Sequence, residues 1–393
     1  MVATITSEAE ALEVARGFAV SLAREASRRD AERLLPAEEV EQLSASGLLG
    51  ITVPRAFGGA DVSIAALAEV FRLLAIGDPN VAQIPQSHFA YVNVLRHQGS
   101  DEQKSLLFSE VLSGRRFGNA QSELGTKTVA EIRTSLVRSD DDSFILSGVK
   151  HYCTGALFAH WIPVLAVGED AKNYVAYVRA DAPGVTVVDD WDGMGQRTTA
   201  SGSVHLDDVQ VDAGLVVPHH LTFTGPQLYG AVAQVIHAAI DVGIARAALA
   251  DGTHFVRARS RPWWESGAST AVEDPLTIQH VGELEIQVRG AEALLAEGAA
   301  LVDRSAANLT DESAAEASIA VATAKVAGAR AAVDVSSAIF ELAGTRASLQ
   351  ADNLNRHWRN ARTHTLHDPV RWKVQHIGRY ALNGTYPPRH GQL

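Results

Sequence analysis

Four long runs, residues 226–261, 275–305, 311–343 and 353–382, are rich in alanine and largely free of internal proline. Apolar residues recur in them at helical spacing, and four such amphipathic helices joined by short connections make a bundle. Alanine at the contacts lets helix axes approach closely, and bundles of this kind often bury further faces by oligomerising. That half of the chain fixes most of the architecture, because everything before it must pack against it.

Two different textures precede it. Residues 7–115 read as helical. Ala9 to Ala26 has apolar positions at helical spacing with Arg and Glu opposite. Pro36 opens a second helix at its first position, ending at Gly47, and further helices start near Ser63 and Asn80. Leu48 to Pro54 and Phe57-Gly58-Gly59 form an extended, glycine-rich turn, and Ser100-Asp101-Glu102-Gln103 has the form of a capping box. Residues 116–213 switch to short β-type runs at 143–148, 161–167, 174–178, 185–188, 203–206 and 209–211, separated by Gly, Asp and Pro. The expected fold is α+β and mainly α: an N-terminal helical domain over 1–115, a central antiparallel β domain (a barrel or sandwich) over 116–222, and a C-terminal four-helix bundle over 223–393.

The net charge of −12 argues against a broad nucleic-acid surface, which needs a basic face. Cys153 is the only cysteine, so one chain can form neither a disulfide framework nor a cysteine-based zinc site. The N-terminus lacks an apolar signal core, and no run is read as reaching the roughly 20 apolar residues of a membrane helix. The expectation is a cytoplasmic protein without a membrane partner.

The densest chemistry lies in Arg359-Asn360-Ala361-Arg362-Thr363-His364-Thr365-Leu366-His367-Asp368-Pro369. Pro369 disfavours helix at Asp368, so the run should break there and present its histidines and aspartate at a helix end. A polar pocket uses such a set; a solvated helix terminus is the competing reading. A second concentration, Arg257-Ala258-Arg259-Ser260-Arg261-Pro262-Trp263-Trp264, places three guanidinium groups at a helix end, and guanidinium matches phosphate oxygens bidentately. His364-x-x-His367 with Asp368 could alternatively be a facial metal site. His151, His160, His205, His237 and His280 read as structural, Cys153 as a small buried apolar residue, and the tryptophans as entrance or interface packing.

The order of helical domain, β domain and bundle resembles the acyl-CoA dehydrogenase superfamily, and local motifs agree. Gln121-Ser122-Glu123-Leu124-Gly125 is similar to that family's flavin-binding turn. Gly148-Val149-Lys150-His151-Tyr152-Cys153-Thr154-Gly155 is similar to its flavin-contacting strand, and Met194 to Ser201 followed by Asp207-Asp208-Val209 to its closing strand pair. The catalytic glutamate of the dehydrogenases has no counterpart: His367-Asp368 stands at one usual place and Ala233 at the other. Thr363 to Pro369, Ile84-Pro85-Gln86-Ser87-His88-Phe89 and Arg259-Ser260-Arg261-Pro262-Trp263 instead resemble the superfamily's flavin-monooxygenase branch, which holds the dibenzothiophene monooxygenases and the sulfur-acquisition oxidoreductases.

That resemblance implies a two-component monooxygenase. Reduced FMN would come from a separate NAD(P)H:flavin reductase, since no Gly-x-Gly-x-x-Gly nicotinamide fingerprint is present. A flavin C4a-hydroperoxide formed with O2 would oxygenate a small organosulfur, nitrogen or aromatic substrate. Catalysis is expected from His88, Thr154 and His367, supported by Asp368, with Tyr91 a further candidate. Gln121, Ser122, Tyr152 and Thr154 would contact the flavin ring, and Arg259, Arg261, Gly344 and Arg346 its phosphate, with Gly344 in a turn that reaches a neighbouring subunit's cofactor. A homotetramer is implied. The alternative is an FAD-dependent acyl-CoA dehydrogenase with Asp368 as base.

Overall fold

The structure, a computed structural model, describes residues 2–393. Seven helices come first: α1 (Glu8–Ala23), α2 (Ala26–Glu32), α3 (Ala37–Ala45), α4 (Ile64–Gly77), α5 (Pro79–Gln83), α6 (Gln86–Gln98) and α7 (Asp101–Leu112). Ser100 caps α7 as expected, accepting from the Gln103 N–H at 3.2 Å while Gln103 Oε1 accepts from the Ser100 N–H at 2.8 Å. Pro36 caps α3 from outside rather than opening it from within. The helix expected near Asn80 is two helices. Asp78 caps α5 through the Asn80 N–H, and Pro85 caps the separate α6, so the α5–α6 junction leaves Gln83, Gln86 and Ser87 facing inward.

The β segment forms one sheet: β1 (Ser135–Arg138), β2 (Ser143–Lys150), β3 (Trp161–Gly168), β4 (Asn173–Arg179), β5 (Val185–Val188), β6 (Ser203–Asp212) and β7 (Val216–Val217), in the order β5-β6-β2-β1-β3-β4-β7. Pairing is antiparallel except between β1 and β3, which run parallel. The turn-rich stretch between β2 and β3 supplies the crossover a parallel neighbour needs. The sheet curls, so that Ala176 and Val178 of β4 share a core with Val204 and Leu206 of β6. Asp207-Asp208, which reads as a turn in sequence, is instead a kink inside β6. Asp208 adopts φ 48° opposite a register shift between Leu146 and Gly148, and its carboxylate accepts from Ser147 Oγ at 2.7 Å.

The C-terminal part contains α8 (Tyr229–Arg259), α9 (Pro275–Ala307), α10 (Asp311–Ala343), α11 (Asn355–His364) and α12 (Val370–Asn383). The fourth run breaks at Thr365–Pro369, where proline was expected to end it, giving α11 and α12. α8 is the axis, packed against α4, α9 and α10. It corrects one reading: α8 is long and apolar enough to cross a membrane, with mean hydropathy 1.4, and 94% of that window is buried inside the fold. Gly243 permits the contact with α4, since a Cβ there would lie 2.5 Å from that of Ala75. Ion pairs lock the N-terminal helices below this axis: Arg29, itself buried, donates to Asp78 at 2.9 Å and to Glu39 at 2.7 Å.

Candidate active site

A cavity of about 410 Å³ lies where α5 and α6, the first turns of α8, the sheet edge and the α11–α12 turn meet. The size suits a small-molecule or cofactor site. Four buried polar atoms on its wall have no hydrogen-bond partner: Tyr91 Oη, Asn119 Oδ1, His219 Nδ1 and Gln234 Oε1. Buried polar groups are nearly always paired. Four orphans on one wall therefore mark a place where a polar ligand completes the bonding. A larger crevice of about 580 Å³ shares Tyr229 with it but contains none of the clustered histidines.

Those histidines form the floor. His237 and Asp241 sit one turn apart on α8, and His364 ends α11. His364 Nδ1–H donates to Asp241 Oδ1 at 2.5 Å, and Lys325 of α10 donates to Asp241 Oδ2 at 2.6 Å. His364 Nε2 lies 3.2 Å from His237 Nδ1 and 3.1 Å from Gln83 Oε1, while Gln83 Nε2 lies 3.2 Å from His367 Nε2. His367 Nδ1–H donates to the His364 carbonyl at 2.8 Å. Burial lowers all three rings below the ordinary histidine range, His367 to about 4, although solvent at its exposed edge moderates that shift. For Asp241, burial works upward and is overridden by Lys325 and His364, so it stays ionised. At neutral pH the cavity thus faces uncharged imidazoles.

On the sheet side, Thr154 heads a chain of hydroxyls. Thr199 Oγ1 donates to the Gln196 carbonyl at 2.9 Å, so Ser201 must donate to Thr199 and Thr154 to Ser201, each at 2.7 Å. With its own proton committed inward, Thr154 offers the cavity lone pairs. Gln121 and Ser122 line the same wall with exposed side chains. Tyr152, at φ 57°, stands half-exposed with its ring edge-on to Trp191 at 6.2 Å.

The turn carrying Gln121 and Ser122 is anchored by Glu123, which accepts from Lys150 Nζ at 2.7 Å, from the Thr134 hydroxyl at 2.8 Å and from the Arg133 and Thr134 N–H groups. Partial burial works to raise its pKa, but these bonds win and hold it at about 2, against an ordinary 4.5. A depressed carboxyl contributes stability above its unfolded pKa and loses it as pH falls through the folded one. Wild type is therefore expected to melt above Glu123→Gln at pH 6, with the gap closing between about pH 4.5 and about pH 2. A pH-independent gap in thermal melts would contradict this.

Several expected site residues lie elsewhere. His88 is one layer behind the wall: Nδ1 accepts from the Phe117 N–H at 3.1 Å and Nε2–H donates to the Leu49 carbonyl at 3.0 Å. Burial lowers this ring to about 4, and both its nitrogens are occupied by backbone. The expected catalytic role for His88 is thus corrected to holding two backbone segments together. Asp368 is drawn to Lys373 Nζ at 2.9 Å, so it neither stands free as a base nor joins His364 and His367 as a third metal ligand. Arg259, Arg261, Gly344 and Arg346 do gather, with Arg346 donating to the Arg259 carbonyl at 3.1 Å and Arg259 paired to Asp352. They do so at the far end of α8, thirty residues from Tyr229, or about 45 Å at 1.5 Å per residue. Within one chain they cannot reach this cavity.

Family models for the acyl-CoA dehydrogenase N-terminal, middle and C-terminal domains match residues 6–115, 119–209 and 235–372. The chain belongs to the acyl-CoA dehydrogenase family. Within that family it falls in the flavin-dependent monooxygenase branch. Dibenzothiophene monooxygenase of Rhodococcus qingshengii is 35% identical over 391 residues, covering 95% of this chain and 93% of that one. The probable FMNH2-dependent monooxygenase SfnC of Pseudomonas putida is 32% identical and covers 96% of each. Among solved structures, FMN-bound TdsC of Paenibacillus sp. A11-2 superposes with a TM-score of 0.93 at 30% identity, over 98% of this chain and 100% of that one. This family member thus carries the fold of the dehydrogenases with a histidine floor to its cavity and, among the described residues that line it, no free carboxylate.

Proposed function

We propose that this monooxygenase receives reduced FMN from a separate NAD(P)H-dependent flavin reductase and oxygenates a small organosulfur compound. The observation that carries the reading is the cavity's chemistry: neutral His367 and four unpartnered polar atoms face it, and its one carboxylate among the described residues, Asp368, is engaged by Lys373. A dehydrogenase needs a free base there. Bound flavin would supply the activation of O2 for transfer of one oxygen atom.

The residues fit such a group. An isoalloxazine edge alternates hydrogen-bond donors and acceptors, and Gln121, Ser122 and Asn119 offer both kinds to the cavity. Thr154, presenting lone pairs, suits a ring that gains an N–H on reduction, and so favours the reduced carrier. His367 Nε2 is the group placed to take up or return a proton, and Tyr91 Oη is a second donor with no competing partner. The phosphate is held from another copy of the chain, whose Arg259 and Arg346 would reach the cavity this chain's own cannot. The exposed Ile278, Ile286 and Leu276 of α9 offer apolar surface for that assembly, which we take to be a tetramer.

The test is to mix the protein with photochemically reduced FMN and thiophenic or alkyl sulfur compounds under ¹⁸O2. The expected result is a product carrying one ¹⁸O atom on sulfur, with no need for a reductase when reduced FMN is supplied. Bleaching of bound oxidised flavin by an acyl-CoA without oxygen would replace this reading with the dehydrogenase one.

A further inference from the structure

We propose that Asp241 and Lys325 are positioning residues for the oxygenation: together they fix the tautomer of His364 and, through Gln83, the proton inventory of His367. The inference rests on the reading of His367 as the proton-handling group, and neither Asp241 nor Lys325 touches the cavity.

Lys325 can only donate, and it takes Asp241 Oδ2 at 2.6 Å. The other carboxylate oxygen can only accept, so His364 must carry its proton on Nδ1. His364 Nε2 is then a lone pair when the ring is neutral, to which His237 donates from Nδ1, while Gln83 turns its Oε1 toward it and gives its NH2 to His367 Nε2. Gln83 bridges His364 Nε2 and His367 Nε2 at 3.1 and 3.2 Å, so its amide offers a donor to one ring and an acceptor to the other. His367 Nδ1–H is committed to a backbone carbonyl, which leaves Nε2 as its working nitrogen. A proton arriving at His367 Nε2 is accommodated when the Gln83 amide turns over. Its oxygen then accepts from His367, and its NH2 donates to the His364 lone pair. That exchange is available only while His364 keeps its proton on Nδ1.

Stability does not explain the pair. Asp241 and Lys325 are wholly buried in an alanine-rich bundle, and a buried ion pair rarely stabilises more than an apolar pair of the same volume. A carboxylate holding the far nitrogen of a working histidine is, by contrast, a recurrent way to set its tautomer and orientation. The charged and titratable groups facing this cluster are Asp241, Lys325, His237, His364, His367, Asp368 and Lys373, and the last two neutralise each other.

Asp241→Asn tests the assignment sharply. Lys325 would claim the new amide's oxygen, turning its NH2 toward His364 Nδ1 and forcing the proton to Nε2. In ¹⁵N magic-angle-spinning spectra of histidine-labelled, flavin-free protein, with His364 assigned by its loss in His364→Gln, the His364 signal should switch from the Nδ1–H to the Nε2–H tautomer. Turnover with reduced FMN should drop about 100-fold in kcat with little change in KM, and the acidic limb of the pH profile should move. Lys325→Met leaves Asp241 facing His364 alone, so His364 should stay protonated to higher pH, the opposite displacement; it carries the test if Asp241→Asn does not fold. A folded Asp241→Asn with an unchanged tautomer, or a switched tautomer with unchanged kcat and pH profile, overturns the proposal. Wild type that oxygenates no sulfur compound would instead sink the functional reading, while the spectra still decide the network.

Discussion

Replacing His367 with glutamine is expected to lower the oxygenation rate by about 10²- to 10⁴-fold, the usual worth of a positioned proton donor or acceptor, while leaving FMN affinity nearly unchanged. Glutamine keeps a hydrogen-bonding group beside Gln83 but can neither take up nor release a proton. The ring's neutral form predominates above about pH 4. Activity that depends on it should persist through the neutral range and fall as pH drops through that value, and the variant should lack this acidic limb. Single-turnover product formation after mixing with reduced FMN and oxygenated substrate is the measurement. A variant within threefold of wild type would remove His367 from the chemistry and shift attention to Tyr91, the other unpartnered donor on the wall.

Arg259→Ala should weaken FMN binding by about 3 kcal/mol, roughly 100-fold in Kd, the worth of charge-assisted bonds to a phosphate. Riboflavin, which lacks the phosphate, should bind wild type and variant alike. The more telling experiment mixes subunits. If Arg259 serves a neighbour's cavity, co-assembling Arg259→Ala with His367→Gln yields sites that combine an intact floor with an intact arginine. Activity should then return to a substantial fraction of wild type, although each variant alone is nearly inactive. No recovery in verified mixed assemblies would mean that another group holds the phosphate. The position of Arg259 at the opposite end of α8 from the cavity makes recovery the expected outcome.

Much of this arrangement is written locally in the sequence. The bundle, the α–β–α order and the break before Pro369 follow from periodicity and from proline's effect on its predecessor, neither of which depends on distant partners. Thr154 and His367 stand in short motifs dense enough to be singled out, and both line the cavity, as does Tyr91, named as a further candidate. Asp241 and Lys325 escaped because one polar residue in an alanine-rich helix looks like a solvent position until the facing helices are known, and His237 read only as a structural histidine. The available signal was His237-x-x-x-Asp241, two polar groups on one face of an otherwise apolar run. His88 shows the converse failure. Its motif was visible, but nothing local revealed that Phe117 and Leu49 would occupy both ring nitrogens. β1 was missed because four residues, Ser135 to Arg138, are too few to show alternation.

Helices as smooth as α8 and α10 are easy to misalign. Their facing surfaces are mostly alanine and valine, so sliding one past the other by a turn, about 5.4 Å, would exchange one apolar contact for another at little cost. The Asp241–Lys325 contact forbids this, because every other alignment buries two unmatched charges. The pair therefore acts as a dowel in the bundle, and an apolar replacement of both residues should melt no earlier than wild type yet settle into a mixture of helix offsets, visible as broadened methyl resonances along the α8–α10 seam.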